Sequence, residues 1–131
     1  MVKEMVRVKN ISINTNILKF EGEYFNGERN GKGKEYYDNN KIKFEGEYLN
    51  GKRTKKGREY HDNGKLMFEG EYFNYKRNGR GKEYYLDGSL IFEGEYSNGK
   101  RWKGKEYEYN YKGILILEGE YINGKRNGKG K

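Results

Sequence analysis

The sequence predicts an all-β fold: an elongated, single-layer antiparallel meander of β-hairpins. Three observations carry this. The phrase Phe-Glu-Gly-Glu-Tyr recurs at Phe20–Tyr24, Phe44–Tyr48, Phe68–Tyr72 and Phe92–Tyr96, and returns as Leu-Glu-Gly-Glu-Tyr at Leu117–Tyr121. Apolar residues alternate through each copy with the period of two that marks a strand. Asn-Gly, a strong signal for a tight hairpin, follows most copies, at Asn26-Gly27, Asn50-Gly51, Asn98-Gly99 and Asn123-Gly124.

The first 17 residues stand outside the repeat and read as an N-terminal cap or flexible segment. Within them, Val6–Ile13 has the pattern of a strand that would cover the first edge of the array. The array itself runs from 18 to 131, about four and a half repeats. The first unit is Phe20 to Lys43, and the next two keep its length of 24 residues. The fourth loses one residue in "GKRWKGKEY" and gains two in "YEYNYKGILIL".

Each unit begins with a strand that has one apolar face, such as Phe20, Gly22 and Tyr24, and one face carrying two glutamates, such as Glu21 and Glu23. A turn follows. Tyr75 stands where the other turns have glycine, so a different turn geometry is expected there. A shorter strand comes next, as in Lys32–Tyr37, and a second turn such as Asp62–Gly64 leads to the next unit. Connections this short join antiparallel neighbours only. The expected core is Phe20, Gly22 and Tyr24; Phe44, Gly46 and Tyr48; Phe68, Gly70 and Tyr72; Phe92, Gly94 and Tyr96; Gly119 and Tyr121. The short-strand tyrosines Tyr36, Tyr60, Tyr84 and Tyr107 are placed with it, each facing inward to cover the glycine of a neighbouring strand. The glutamates lie within cross-strand reach of lysines such as Lys32 and Lys34.

Composition bounds the rest. Leu, Ile, Val and Phe make up 24 of 131 residues and the net charge is +8, values that suit disorder. The 14 tyrosines on a fixed period argue for a folded array, because each ring can bury roughly 150–250 Å². With no cysteine there are neither disulfides nor thiolate metal sites. The N-terminus has charges where a signal peptide needs an apolar stretch, so a cytoplasmic setting, or one peripheral to a membrane, is expected.

The unit "FEGEYLNGKRTKKGREYHDNGKLM", Phe44–Met67, resembles a MORN repeat (membrane occupation and recognition nexus), in its longer variant with "KEYY-DNG-KL" that also occurs in antitoxin-like chains. The resemblance covers Leu18 to Lys131. It implies elongated, twisted, single-layer hairpin arrays that serve as scaffolds, as dimerising rods, or as modules associated with membranes or phosphoinositides. Tyr75, the pair Lys55 and Lys56, and the irregular fourth unit depart from the pattern.

Twenty of the 28 Lys and Arg residues fall in the turn and second strand of each unit. They are expected to line one edge as a basic strip: Lys52, Arg53, Lys55, Lys56 and Arg58; Lys76, Arg77, Arg80 and Lys82; Lys100, Arg101 and Lys103, with Trp102 among them. Such a strip suits anionic lipid headgroups or an acidic protein. Its bland counterpart is pairing with the glutamates, which keeps strand edges apart. Trp102 would anchor at a membrane interface or fold back over the fourth unit.

Carboxylate pairs such as Glu45 and Glu47 recur five times on a solvated face, whereas catalysis needs one tuned site. The only histidine, His61, replaces a repeat aromatic and has no partner ligands. The expectation is therefore a non-enzymatic interaction scaffold without cofactor or metal. It would bind a protein partner, touch a membrane peripherally, or act by strand-edge pairing or homodimerisation. Nucleic acid is not an expected partner, because the rings are committed to the core.

Overall fold

A computed structural model describes residues 6–11 and 18–127. Among these, eleven strands form one antiparallel sheet in chain order: β1 Val6–Ile11, β2 Leu18–Phe25, β3 Glu28–Tyr36, β4 Ile42–Leu49, β5 Lys52–Tyr60, β6 Leu66–Phe73, β7 Lys76–Tyr84, β8 Leu90–Ser97, β9 Lys100–Tyr109, β10 Leu115–Ile122 and β11 Lys125–Asn127. β1 does add to the first edge, pairing with β2; the expected continuation of this strand to Ile13 lies outside the described residues. In the first four units the second strand is not the shorter one. β3, β5 and β7 have nine residues against eight in β2, β4 and β6, because pairing begins directly after a two-residue turn.

The register is pinned by glycine. Gly22 lies opposite Gly33, Gly33 opposite Gly46, and the row continues through Gly57, Gly70, Gly81 and Gly94 to Gly104. A side chain has no room in this row. A Cβ on Gly70 would stand 2.5 Å from the Arg80 carbonyl oxygen and 2.7 Å from the Gly81 Cα.

The space left by the glycines is filled by rings. Phe20, Phe44, Phe68 and Phe92 are each 0% exposed, although the sheet has a single layer. The floor under Phe20 is the backbone of Gly22 and Gly33. Its sides are Tyr24 of the same strand and Tyr48 of the next unit, edge-on at 5.7 and 5.4 Å. Its roof is the Arg29 guanidinium, 4.0 Å above the ring. Repetition of this box gives one unbroken chain of edge-to-face rings: Tyr24, Phe20, Tyr48, Phe44, Tyr72, Phe68, Tyr96, Phe92, Tyr121. Each such pair contributes about 0.5–1.5 kcal/mol beyond the area it buries. A sheet poor in aliphatic residues thus holds a dry core on one face.

The glycine register corrects the placement of the second-strand tyrosines. Glu35 lies opposite Phe20, so Glu35 is on the ring face and Tyr36 is on the other. Tyr36, Tyr60 and Tyr84 donate their hydroxyls to Glu21, Glu45 and Glu69 on that opposite face, and Tyr107 lies across from Glu118. The glycine slot is covered by the phenylalanine of its own strand and the tyrosine of the following unit.

The hairpin turns have both central residues at positive φ, for example Asn50 at 50° and Gly51 at 82°. The turn at Asn74-Tyr75 does not differ, contrary to expectation: Tyr75 adopts φ 76°. It is held there by its N–H on the Arg53 carbonyl at 3.1 Å and its hydroxyl on the Gly51 carbonyl at 2.8 Å. Equivalent N–H bonds from Gly51, Gly99 and Gly124 tie each turn to the unit before it.

In the fourth unit the insertion slides β10 by two residues, so Glu106 faces Gly119 and Tyr121 faces Gly104. A shift of two preserves the faces. Glu106 then fills the slot above Gly119 and is buried at 3% exposure, paired with Arg101 and Arg126.

Candidate functional site

A polar lattice lies over the rings. Tyr48 donates its hydroxyl to Glu35 Oε2 at 2.6 Å, and Arg53 reaches both oxygens of Glu35 at 3.0 and 3.1 Å. The same trio recurs as Tyr72, Glu59 and Arg77, and as Tyr96, Glu83 and Arg101. Burial pushes the Glu59 carboxyl up, but hydrogen bonds and charge from Arg77, with the Tyr72 hydroxyl, outweigh it and leave the group below its ordinary value. Glu35 and Glu83 are lowered in the same way. Burial and the adjacent carboxylate raise the tyrosines of this lattice. These groups are consumed in joining successive units.

The basic residues expected to form one strip are therefore divided between the two faces. Arg53, Arg77 and Arg101 belong to the ring lattice. Lys56, Arg58, Arg80, Lys82 and Lys103 project on the opposite face, the charge face. There every strand carries one sign. Glu45 and Glu47 on β4 stand between Lys32 and Lys34 on β3 and Lys56 and Arg58 on β5, and Glu69 and Glu71 on β6 precede Arg80 and Lys82 on β7. Ion pairs across this face are exposed, at 3.5 Å for Arg58–Glu69 and 3.6 Å for Lys82–Glu93. Exposed pairs of this kind contribute little stability. Between the two lines of charge an open trough of about 910 Å³ crosses β3 to β8 over the backbone of the glycine row.

The turn edge gathers the remaining cations. Leu49 lies opposite Lys52, Phe73 opposite Lys76, Ser97 opposite Lys100 and Ile122 opposite Lys125. Phe73 is 68% exposed and Leu49 51%. Tyr75 and Trp102 are also exposed at this edge. Trp102 rests against the turn of the fifth unit, its ring 3.3 Å from the Cβ position of Gly124, and its carbonyl accepts the Gly124 N–H. Lys55 adopts φ 54°, taking the left-handed bulge position that Gly31 and Gly79 hold in other units. Apolar side chains at this edge were not singled out from the sequence. The signal was present in the residue before the turn Asn in four of the five units, Phe25, Leu49, Phe73 and Ile122, always outside the Phe-Gly-Tyr parity.

His61 stands in the place of Tyr37 and Tyr85 and does their work. Tyr37 donates to the Tyr60 carbonyl, Tyr85 to the Tyr107 carbonyl, and His61 Nε2 to the Tyr84 carbonyl at 3.1 Å. That bond requires the proton on Nε2.

Comparison with known families finds the MORN repeat matching residues 20–41, 68–90, 92–102 and 118–131, and the MORN repeat variant matching residues 53–74. No curated protein matches the chain.

Proposed function

Because the chain belongs to the MORN repeat family, we propose that it is a non-enzymatic interaction scaffold that holds to anionic membrane surfaces through its turn edge. One observation carries the reading. Exposed Leu49, Phe73 and Ile122 each face a lysine across the hairpin, so apolar and cationic side chains alternate along one edge. Apolar groups at such an edge enter the headgroup boundary, while each lysine near an anionic surface contributes about 1 kcal/mol within a Debye length.

The test is co-sedimentation with phosphatidylcholine vesicles, with and without phosphatidylserine. Binding should require the anionic lipid and weaken as salt rises. The double variant Leu49→Ser/Phe73→Ser should lose it while keeping a native β spectrum. Equal binding to neutral vesicles, or no loss in that variant, removes the membrane reading.

A second reading, pairing through a strand edge with another chain, is favoured by β10. Ile114, Leu115 and Ile116 at its start are about half exposed. Light scattering over a concentration series tests it: a strict monomer at high concentration argues against the pairing.

A further inference from the structure

The charge face is only partly paired within the fold. Three of its carboxylates are engaged from within the fold. Glu45 and Glu69 accept the hydroxyls of Tyr60 and Tyr84, and Glu71 Oε1 accepts the Arg80 backbone N–H at 2.7 Å. Its cations are engaged only in part: Arg58 and Lys82 pair with Glu69 and Glu93. The side chains of Lys32, Lys34, Lys56 and Arg80 make no ion pair or hydrogen bond among the described residues, and all four line the trough over the glycine row.

We propose that this trough docks an extended segment of a partner protein that carries a carboxylate at every third residue. The spacing follows from the sheet. Unpaired cations stand on β3, β5 and β7, two strand separations apart, about 9.6 Å. A polyproline II chain advances about 9.3 Å in three residues, so a carboxylate at each third position meets successive cationic strands. The residues between them pass over the glutamate strands and must not be acidic.

Other occupants fit less well. The two lines of charge are set by residues two apart on one strand, about 6.6–6.8 Å, and a helix with its side chains is about 10–12 Å across. A nucleic acid strand is charged at every unit and would meet the glutamate strands as often as the cationic ones. The floor also suits a close backbone, since the glycine-row positions between the two lines of charge face the rings and place no side chain on the charge face.

The inference does not depend on membrane contact at the turn edge, and the experiment separates the two. Fluorescence anisotropy of the full chain is measured with a labelled peptide of four Glu-Ala-Pro triplets. Its partners in the test are a peptide of the same composition with the glutamates clustered, and a single-stranded oligonucleotide of equal charge. The triplet peptide should bind in a salt-dependent way, about tenfold more tightly than either. Lys56→Glu/Arg80→Glu should weaken it about tenfold, and the milder Lys56→Gln/Arg80→Gln, which adds no new charge, should weaken it in the same direction. Lys52→Gln/Lys76→Gln at the turn edge should leave it unchanged. No binding of the triplet peptide, equal binding of the clustered peptide or the oligonucleotide, or indifference to both trough variants overturns the proposal.

Discussion

Arg77 lies with its guanidinium 4.1 Å above the centre of the Phe68 ring while gripping Glu59 of the preceding unit at two points, 3.0 and 3.2 Å. One side chain thus roofs a buried ring and joins two repeats. Arg77→Ala would expose the ring and leave the Glu59 carboxylate largely desolvated without its cation. Breaking a fully buried pair costs about 3–5 kcal/mol; both partners here keep roughly a fifth of their surface in water, so a loss of about 2–3 kcal/mol is expected. Arg77→Lys restores the charge without the planar fork and should lose about 1–2 kcal/mol. Urea unfolding followed by circular dichroism measures both. A loss below about 0.5 kcal/mol for the alanine variant would show the roof to be idle.

Glu59, Glu35 and Glu83 make the fold sensitive to acid. Burial raises each carboxyl, but the arginine and tyrosine partners more than reverse this and hold the folded value below the ordinary 4.5. A lowered value means that the fold prefers the ionised form. The stabilisation is present above the unfolded value and is lost as pH falls through the lower folded ones. The urea midpoint should be level near neutrality and drop below about pH 4.5. Glu59→Gln should start from a lower midpoint and fall less steeply. An acid limb unchanged by that substitution would sink the assignment.

At the alkaline end, burial and the Glu45 carboxylate push Tyr60 up to about 12. The sign is opposite: this contribution is complete below the ordinary tyrosine value of 10 and fades as pH rises through the folded one. A spectrophotometric titration should show late-ionising tyrosine that diminishes in Tyr60→Phe.

Much of this architecture could be read from residue order. The alternation of Phe20, Gly22 and Tyr24 located the strands, and Asn-Gly located the turns. The facing of Glu35 and Tyr36 could not be read that way, because hydropathy alone puts the ring inside and the acid outside. The Gly22–Gly33 pairing decides otherwise, and the buried acid is tolerated because Tyr48 and Arg53, 13 and 18 residues later, come back to it. The trough was equally hidden. Composition shows 28 cations, but only the strand-by-strand register separates arginines spent on the ring lattice from side chains left open on the charge face.

The glycine row gives a sharp contrast between two glycines. At Gly70 a methyl group would collide with the backbone of Gly81 and the carbonyl of Arg80, neither of which can move without breaking the ladder. Gly70→Ala should cost about 3 kcal/mol or more. At Gly64 there is open space, but φ is 88°, so Gly64→Ala should cost only the left-handed backbone penalty of about 1–2 kcal/mol. Thermal melts of the two variants side by side decide it. Equal losses would mean that packing in the row is no tighter than in a surface turn.

Lys55 offers a test in the stabilising direction. It holds φ 54° at the bulge position occupied by Gly31 and Gly79 in the neighbouring units, and a left-handed residue with a Cβ costs about 1–2 kcal/mol. Glycine relieves that strain but returns about 0.5–1 kcal/mol to the unfolded chain as entropy. Lys55→Gly should therefore stabilise by about 0.5–1 kcal/mol. Tyr75→Gly relieves a similar strain, yet it also discards the hydroxyl bond to Gly51 that clamps adjacent turns, worth about 1 kcal/mol. It should be close to neutral. Stabilisation of both to the same degree would mean that the Tyr75 clamp contributes nothing, and destabilisation by Lys55→Gly would mean that its strained backbone is compensated by contacts of the lysine side chain itself.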